Sequence, residues 1–137
     1  MKHIMDIRVY YEDTDAGGIV YHANYLNFAE RGRTEFLRKC GFTNSELQNK
    51  LGVMFVVRHI EIDYLKPSLL DDALQMETTI LELKNSSFSL HQRTVRAGET
   101  MADMHVVLVC VDTVSHKPVR LPEDIKEAFQ AYQENVE

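Results

Sequence analysis

The chain has 137 residues, of which 45% are hydrophobic and 26% charged, so it carries enough apolar material for one ordinary core and predicts one domain over residues 1–137. The formal net charge of -6 argues against nucleic acid as the main partner, because phosphate binding needs clustered Lys and Arg, although a few local cations still suit a small anionic ligand. No stretch approaches the ~20 apolar residues of a membrane span and the opening residues lack the apolar core of a signal peptide, so a cytoplasmic protein that is not membrane-embedded is expected.

The first element predicted is a half-buried strand, with Ile7, Val9 and Tyr11 alternating against Arg8 and Tyr10. A loop, "EDTDAGGIVYHANY", follows over residues 12–25. Next comes a helix whose apolar or small positions, Tyr25, Phe28, Ala29, Gly32, Phe36 and Cys40, recur every three or four residues. Glu30, Arg31, Arg33, Glu35, Arg38 and Lys39 fill its other face, and Gly41 stops it. Gly32 on the apolar face costs about 1 kcal/mol of helix propensity relative to Ala, which suggests close approach to a sheet.

"TNSE" at Thr43–Glu46 has the form of a capping box and predicts a short helix to about Lys50, closed by Gly52. Four strands are then expected. The first carries Ile60, Ile62 and Tyr64, and the second Leu74, Met76, Thr78 and Ile80. A turn at Asn85-Ser86 leads to the third, with Phe88 and Leu90. A turn at Ala97-Gly98-Glu99 leads to the fourth, whose run Val106–Val111 reads as covered on both faces. Pro122, Glu123 and Asp124 open a last helix, with the proline in its first turn. Cys40 and Cys110 form no C-x-x-C pair and sit in apolar runs, as core residues of a reducing compartment do. This order excludes all-helical and doubly wound folds and predicts an α+β architecture: a five-stranded antiparallel sheet curved around one long central helix.

The loop is the chemically rich stretch. Read as a calcium loop from Asp13, it lacks a ligand at Gly17 and a bidentate carboxylate at Asn24. Zinc finds no His or Cys pair at ligand spacing, although His91 and His105 stand where neighbouring strands bring them together, more simply as hydrogen-bonded structural histidines. G-x-S-x-G and G-K-[ST] are both missing. What remains is Asp15, a flexible Gly17-Gly18 pair and the start of a buried helix. A helix N-terminus offers free N–H groups to an oxyanion, and a carboxylate beside it serves as base or nucleophile, which together suit acyl transfer from a thioester. The same residues also fit an ordinary turn, with Asp13 and Asp15 bonded to their own backbone and His22 and Asn24 forming a cap.

The stretch "IRVYYEDTDAGGIVYHANYLNFAERGRTEFLR" resembles the opening motif of the 4-hydroxybenzoyl-CoA thioesterase-like hotdog family, in particular its YbgC-like branch, associated with the Tol–Pal envelope system. "FVVRHIEIDYLKPSLLDD" and "VCVDTVSHKPVRLP" extend the likeness over nearly the whole chain. The resemblance implies a hotdog fold and hydrolysis of an acyl-CoA thioester with no metal or organic cofactor. It assigns the catalytic carboxylate to Asp15 and the carbonyl-polarising amide to the region of His22, whose side chain either orients water or substrate or caps the helix. Tyr21 and Tyr25 would line the pocket or pack on the core. Lys84, Lys117 and Arg120 are the nearest matches to the family's cations for the CoA phosphates, with Arg58 and Arg93 behind them. A homodimer built edge to edge, or a homotetramer, is implied, with sites at subunit interfaces; Glu30, Arg31 and Arg33 belong either to that interface or to an ordinary solvated helix face. An acyl-CoA or acyl carrier protein binding module without turnover is the competing reading. Phe55, Phe88 and Met104 are expected to set pocket depth.

Overall fold

The computed structural model describes residues 1–134. Its elements in chain order are β1 (His3–Arg8), α1 (Asn24–Lys39), α2 (Asn44–Glu46), which widens into a π turn over Leu47–Leu51, β2 (Val53–Tyr64), β3 (Ala73–Leu83), β4 (Ser87–Arg96), β5 (Glu99–Asp112) and α3 (Glu123–Gln130). The strands form one sheet in the order β1-β3-β4-β5-β2, with every pair antiparallel. The 16-residue α1 lies across its concave face, which is the expected hotdog arrangement. No helix among the described residues is long and apolar enough to cross a membrane.

The apolar stripe of α1 is buried as its spacing requires: Tyr25, Phe28, Ala29, Gly32 and Phe36 are inside and Cys40 is half-buried. On the sheet, Leu74, Met76, Thr78 and Ile80 of β3 meet Leu90 and Gln92 of β4 and Met104 and Val106 of β5 on the same inner face. A Cβ at Gly32 would stand 2.7 Å from Met76 Cγ and 3.1 Å from Gln92 Nε2, so only glycine lets helix and sheet come this close. Gln92 is buried yet satisfied: its Nε2 donates to Ala29 O (3.0 Å) and Thr78 Oγ1 (3.1 Å), and its Oε1 accepts from Arg33 Nη1 (3.0 Å). Arg33 is thus turned inward rather than solvated, and burial lowers its pKa, with Glu30 opposing. Gly32→Leu is expected to lower the melting temperature far more than Gly32→Ala, because the larger side chain overpacks this contact by about 1–3 kcal/mol or more. Thermal unfolding followed by circular dichroism checks it.

Three local details differ from expectation. Tyr11 is not on the strand; it is 82% exposed and begins a 3-10 turn over Tyr11–Asp13. The cause is Asp13, whose Oδ2 accepts from Tyr10 N–H (2.8 Å) while Asp13 N–H donates to Tyr10 O (3.0 Å), bending the chain out of its ladder. Pro122 is the N-cap of α3 rather than a first-turn residue, and its carbonyl accepts from Ile125 and Lys126. At Thr43 the hydroxyl accepts from Glu46 N–H (3.2 Å) but donates to the Glu46 carboxylate (3.1 Å), an altered form of the expected box.

β5 carries the apolar run covered on both faces: Val106, Leu108, Val109, Cys110 and Val111 are buried. Burial pushes the thiols of Cys40 and Cys110 up to about 11, so both stay protonated core groups. α3 closes one end of the barrel-like sheet, with Phe129 stacked on Phe36 at 5.1 Å and edge-on to Phe88 at 5.1 Å.

Candidate active site

The loop before α1 folds into a small hairpin. Thr14 and Val20 pair, Asp15 N–H donates to Ile19 O (2.9 Å), and Gly18 N–H donates to Asp15 O (3.0 Å). Gly18 sits at φ +81°, a left-handed conformation that a side chain resists. Asp15 is exposed, and its Oδ1 accepts from Gly17 N–H (2.8 Å). A side chain at Gly17 would press on that oxygen, its Cβ 3.2 Å away. Asp13 is different: it is 4% exposed, with Oδ2 taken by Tyr10 N–H and Oδ1 by Asn24 Nδ2 (2.6 Å). Asp13 is therefore a brace between the end of β1 and the head of α1.

α1 begins without a side-chain cap. The carbonyl of Tyr21 accepts from Asn24 N–H (2.8 Å), and the carbonyl of His22 accepts from Tyr64 OH (3.0 Å). Those two bonds fix the peptide planes 21–22 and 22–23. The amides on the opposite sides of these planes, His22 N–H and Ala23 N–H, have no acceptor among the described residues. This is a pair of oriented, unspent donors at the positive end of a helix.

Asp15, His22, Tyr25 and Tyr64 line one open groove of about 290 Å³, together with Leu65 and Lys66. The His22 ring lies against Tyr21 (centroids 4.6 Å) and edge-on to Tyr64 (6.2 Å). Tyr25 is 3% exposed, packs on Phe28 and donates its OH to Ser68 Oγ (3.0 Å), so packing is its main part. Tyr21 is 47% exposed beside the groove. Tyr64 and Lys66 are groove residues that periodicity missed. They arrive from the end of β2, where a bulge at Met101 in β5 lets one carbonyl accept from both Leu65 N–H (2.8 Å) and Lys66 N–H (3.1 Å). In the sequence, Tyr64 reads only as the end of the Ile60–Ile62–Tyr64 alternation, and Lys66 only through its place in "EIDYLKP".

Lys84, Lys117 and Arg120 are exposed and lie together, but elsewhere. Leu121 N–H donates to Asn85 O (2.8 Å) and Asp112 N–H to Lys117 O (2.9 Å), which gathers them at the far end of β5. Tyr64 pairs with Ala102 at the near end, so about 30 Å of strand separates them from the groove within one protomer. Arg58 is the extra residue of a bulge on β2, and Arg93 is held by Thr100 and Glu77. Phe55 and Phe88 line a second cavity of about 130 Å³ under the C-terminal half of α1, whereas Met104 is a core residue of the sheet. Asp13→Asn is expected to cost about 1–3 kcal/mol of stability, by setting an NH2 group against one of two donors, while slowing any hydrolysis less than a change at Asp15 does. Denaturation midpoints and initial rates on the same preparation check both halves.

Comparison with known proteins places the chain in a family of this fold. Residues 9–129 match the model of the thioesterase-like superfamily. The chain is 46% identical over 123 residues to the acyl-CoA thioesterase YbgC of Haemophilus influenzae, covering 90% of each protein. It is 47% identical over 136 residues to the acyl-CoA thioesterase YbgC of Helicobacter pylori, covering 93% of this chain and 99% of that one. Among solved structures, a probable thioesterase from Bartonella henselae superposes with a TM-score of 0.86 at 38% identity, over 89% of this chain and 100% of the other. BH1999, a gentisyl-coenzyme A thioesterase, superposes with a TM-score of 0.85 at 30% identity, over 93% and 99% of the two chains. A five-stranded antiparallel sheet wound on one helix, the family match over most of the chain and these relatives lead to one conclusion: the chain belongs to the thioesterase-like superfamily.

Proposed function

We propose that the protein hydrolyses the thioester of an acyl-CoA to a free acid and CoA, with Asp15 as base or nucleophile. The observation that supports this reading is the groove that Asp15 and His22 line together, at a helix head where the amides of His22 and Ala23 have no acceptor among the described residues. In the proposed step the thioester oxygen accepts from those amides, which stabilise the negative charge that grows as the carbonyl carbon is attacked. With Asp15 as base, water loses a proton to the carboxylate as its oxygen bonds to the carbon. The C–S bond then breaks, and the sulfur leaves as thiolate and takes up a proton. With Asp15 as nucleophile, its oxygen bonds to the same carbon, the C–S bond breaks, and the thiolate leaves and takes up a proton; water then cleaves the mixed anhydride, releasing the acid and restoring the Asp15 carboxylate. No cofactor enters either route. His22 borders the same groove and would position the water or the substrate.

CoA also needs cations. Within one protomer Lys84, Lys117 and Arg120 are too distant. β2 is an edge strand with Val56 and Val57 exposed, and its outer side has no strand partner among the described residues. Antiparallel pairing of two β2 edges about a twofold axis would bring the Lys117–Arg120 end of one protomer toward the groove of its partner. That is the dimer, alone or doubled into a tetramer, on which this assignment of the cations depends.

Thiol release measured across aryl, short-chain and long-chain acyl-CoA, with Asp15→Asn as the blank, tests the reading. Turnover of at least one class by the native protein and not by the variant supports it. Saturable acyl-CoA or acyl carrier protein binding with no thiol released would instead assign a binding module.

A further inference from the structure

The outer face of the sheet, away from α1, carries a second cluster of reactive side chains. His91 of β4 stands opposite His105 of β5 in register, with ring centroids 5.1 Å apart. Asp103 lies two residues before His105 on the same face. One donor atom from each of His91, Asp103 and His105 lies within 4.8 Å of the others. His91 is fixed at both nitrogens: Nε2 is 2.6 Å from Asp103 Oδ1 and Nδ1 is 2.5 Å from Glu134 Oε2. Glu134 is itself held, since its Oε2 accepts from Thr79 Oγ1 (2.6 Å) and its N–H donates to Ile80 O (2.8 Å).

We infer that His91, Asp103 and His105 form a binding site for one borderline divalent metal ion of the Zn2+ type, with Glu134 orienting His91 from behind. Two imidazoles and one carboxylate are the donor set that such ions prefer over Mg2+ or Ca2+. The ion binds at His91 Nε2 and Asp103 Oδ1, where the ligand atoms must be free of protons, so any proton between them leaves to solvent. At metal–ligand lengths of about 2.0–2.2 Å the pair has to open by less than ~1 Å, within the reach of small side-chain rotations. The Nδ1–H of His91 then keeps donating to Glu134, the carboxylate–histidine–metal relay that sets ring and tautomer. The neighbouring cations are occupied elsewhere: Arg93 by Thr100 and Glu77, and Lys2 by Glu77 at 3.0 Å. Glu61, opposite His105 on β2, adds negative charge nearby while contacting His59 (3.0 Å). Water completes the coordination, because His105 is exposed.

The full chain, stripped with chelator and exchanged into metal-free buffer, is titrated with Zn2+ by calorimetry and with Co2+ by visible absorption. The expected result is one ion per chain, with the intense visible bands of four- or five-coordinate Co2+. His105→Ala, a surface change, is expected to weaken Zn2+ binding by at least about 100-fold with the metal-free melting temperature unchanged, and Glu134→Gln by about 10-fold. His116→Ala, in an exposed loop, is the control and binds as the native chain does. No stoichiometric uptake by the native chain, or uptake that survives His105→Ala, overturns the inference.

Discussion

Asp15→Asn is expected to lower kcat for acyl-CoA hydrolysis by about 10^3-fold or more, equivalent to about 4 kcal/mol of lost transition-state stabilisation. The substitution is close to isosteric. Its Oδ1 still accepts from Gly17 N–H, so the hairpin should survive. Neither a proton acceptor nor a nucleophilic oxygen remains, whichever role Asp15 plays. KM is expected to change little, because the amides proposed to meet the substrate carbonyl belong to His22 and Ala23 and are left alone. Steady-state thiol release, with circular dichroism as the fold check, reads both quantities. A variant keeping most of the native rate would remove Asp15 from the mechanism.

The largest effect on stability is expected from Phe129→Ala. Phe129 is 1% exposed, stacks on Phe36 and meets Phe88 edge-on, and so joins α3 to α1 and β4 through one ring. Truncation removes the apolar area and leaves a cavity in a region already bordering the 130 Å³ cavity. The expected cost is about 3–5 kcal/mol, or roughly 10–15 °C in melting temperature for a chain of this size. Phe129→Leu should cost less than half of that. Urea midpoints at fixed protein concentration check the pair. An unchanged slope shows that native stability moved rather than the compactness of the unfolded chain.

Much of the architecture was legible because it rests on local periodicity. The stripe from Tyr25 to Phe36 and the alternation Leu74, Met76, Thr78, Ile80 each identify a buried face, and Gly32 announced its contact with Met76. Tyr11 misled because alternation continues through it while a side chain two residues on, Asp13, claims the backbone. The site was half legible. Asp15 and His22 sit in one motif, whereas Tyr64 and Lys66 come from more than forty residues away and are placed by a bulge at Met101. Strand order was out of reach of spacing alone, so the distance between the groove and Lys117 appears only in the fold. His91 and His105 show the same limit: register, not sequence separation, makes them neighbours.

The buried amide of Gln92 has a last consequence. It grips α1 at Ala29 and, one turn on, at Arg33, from a strand that is itself central in the sheet. A one-residue creep of the rod would carry it about 1.5 Å and turn it by ~100°, tearing out both grips. The tip that bears His22 and Ala23 is therefore held at a fixed bearing relative to the sheet. If the tip serves as the proposed oxyanion site, substrates must conform to it, and selectivity among acyl groups comes from the shape of the surrounding walls rather than from movement of the helix.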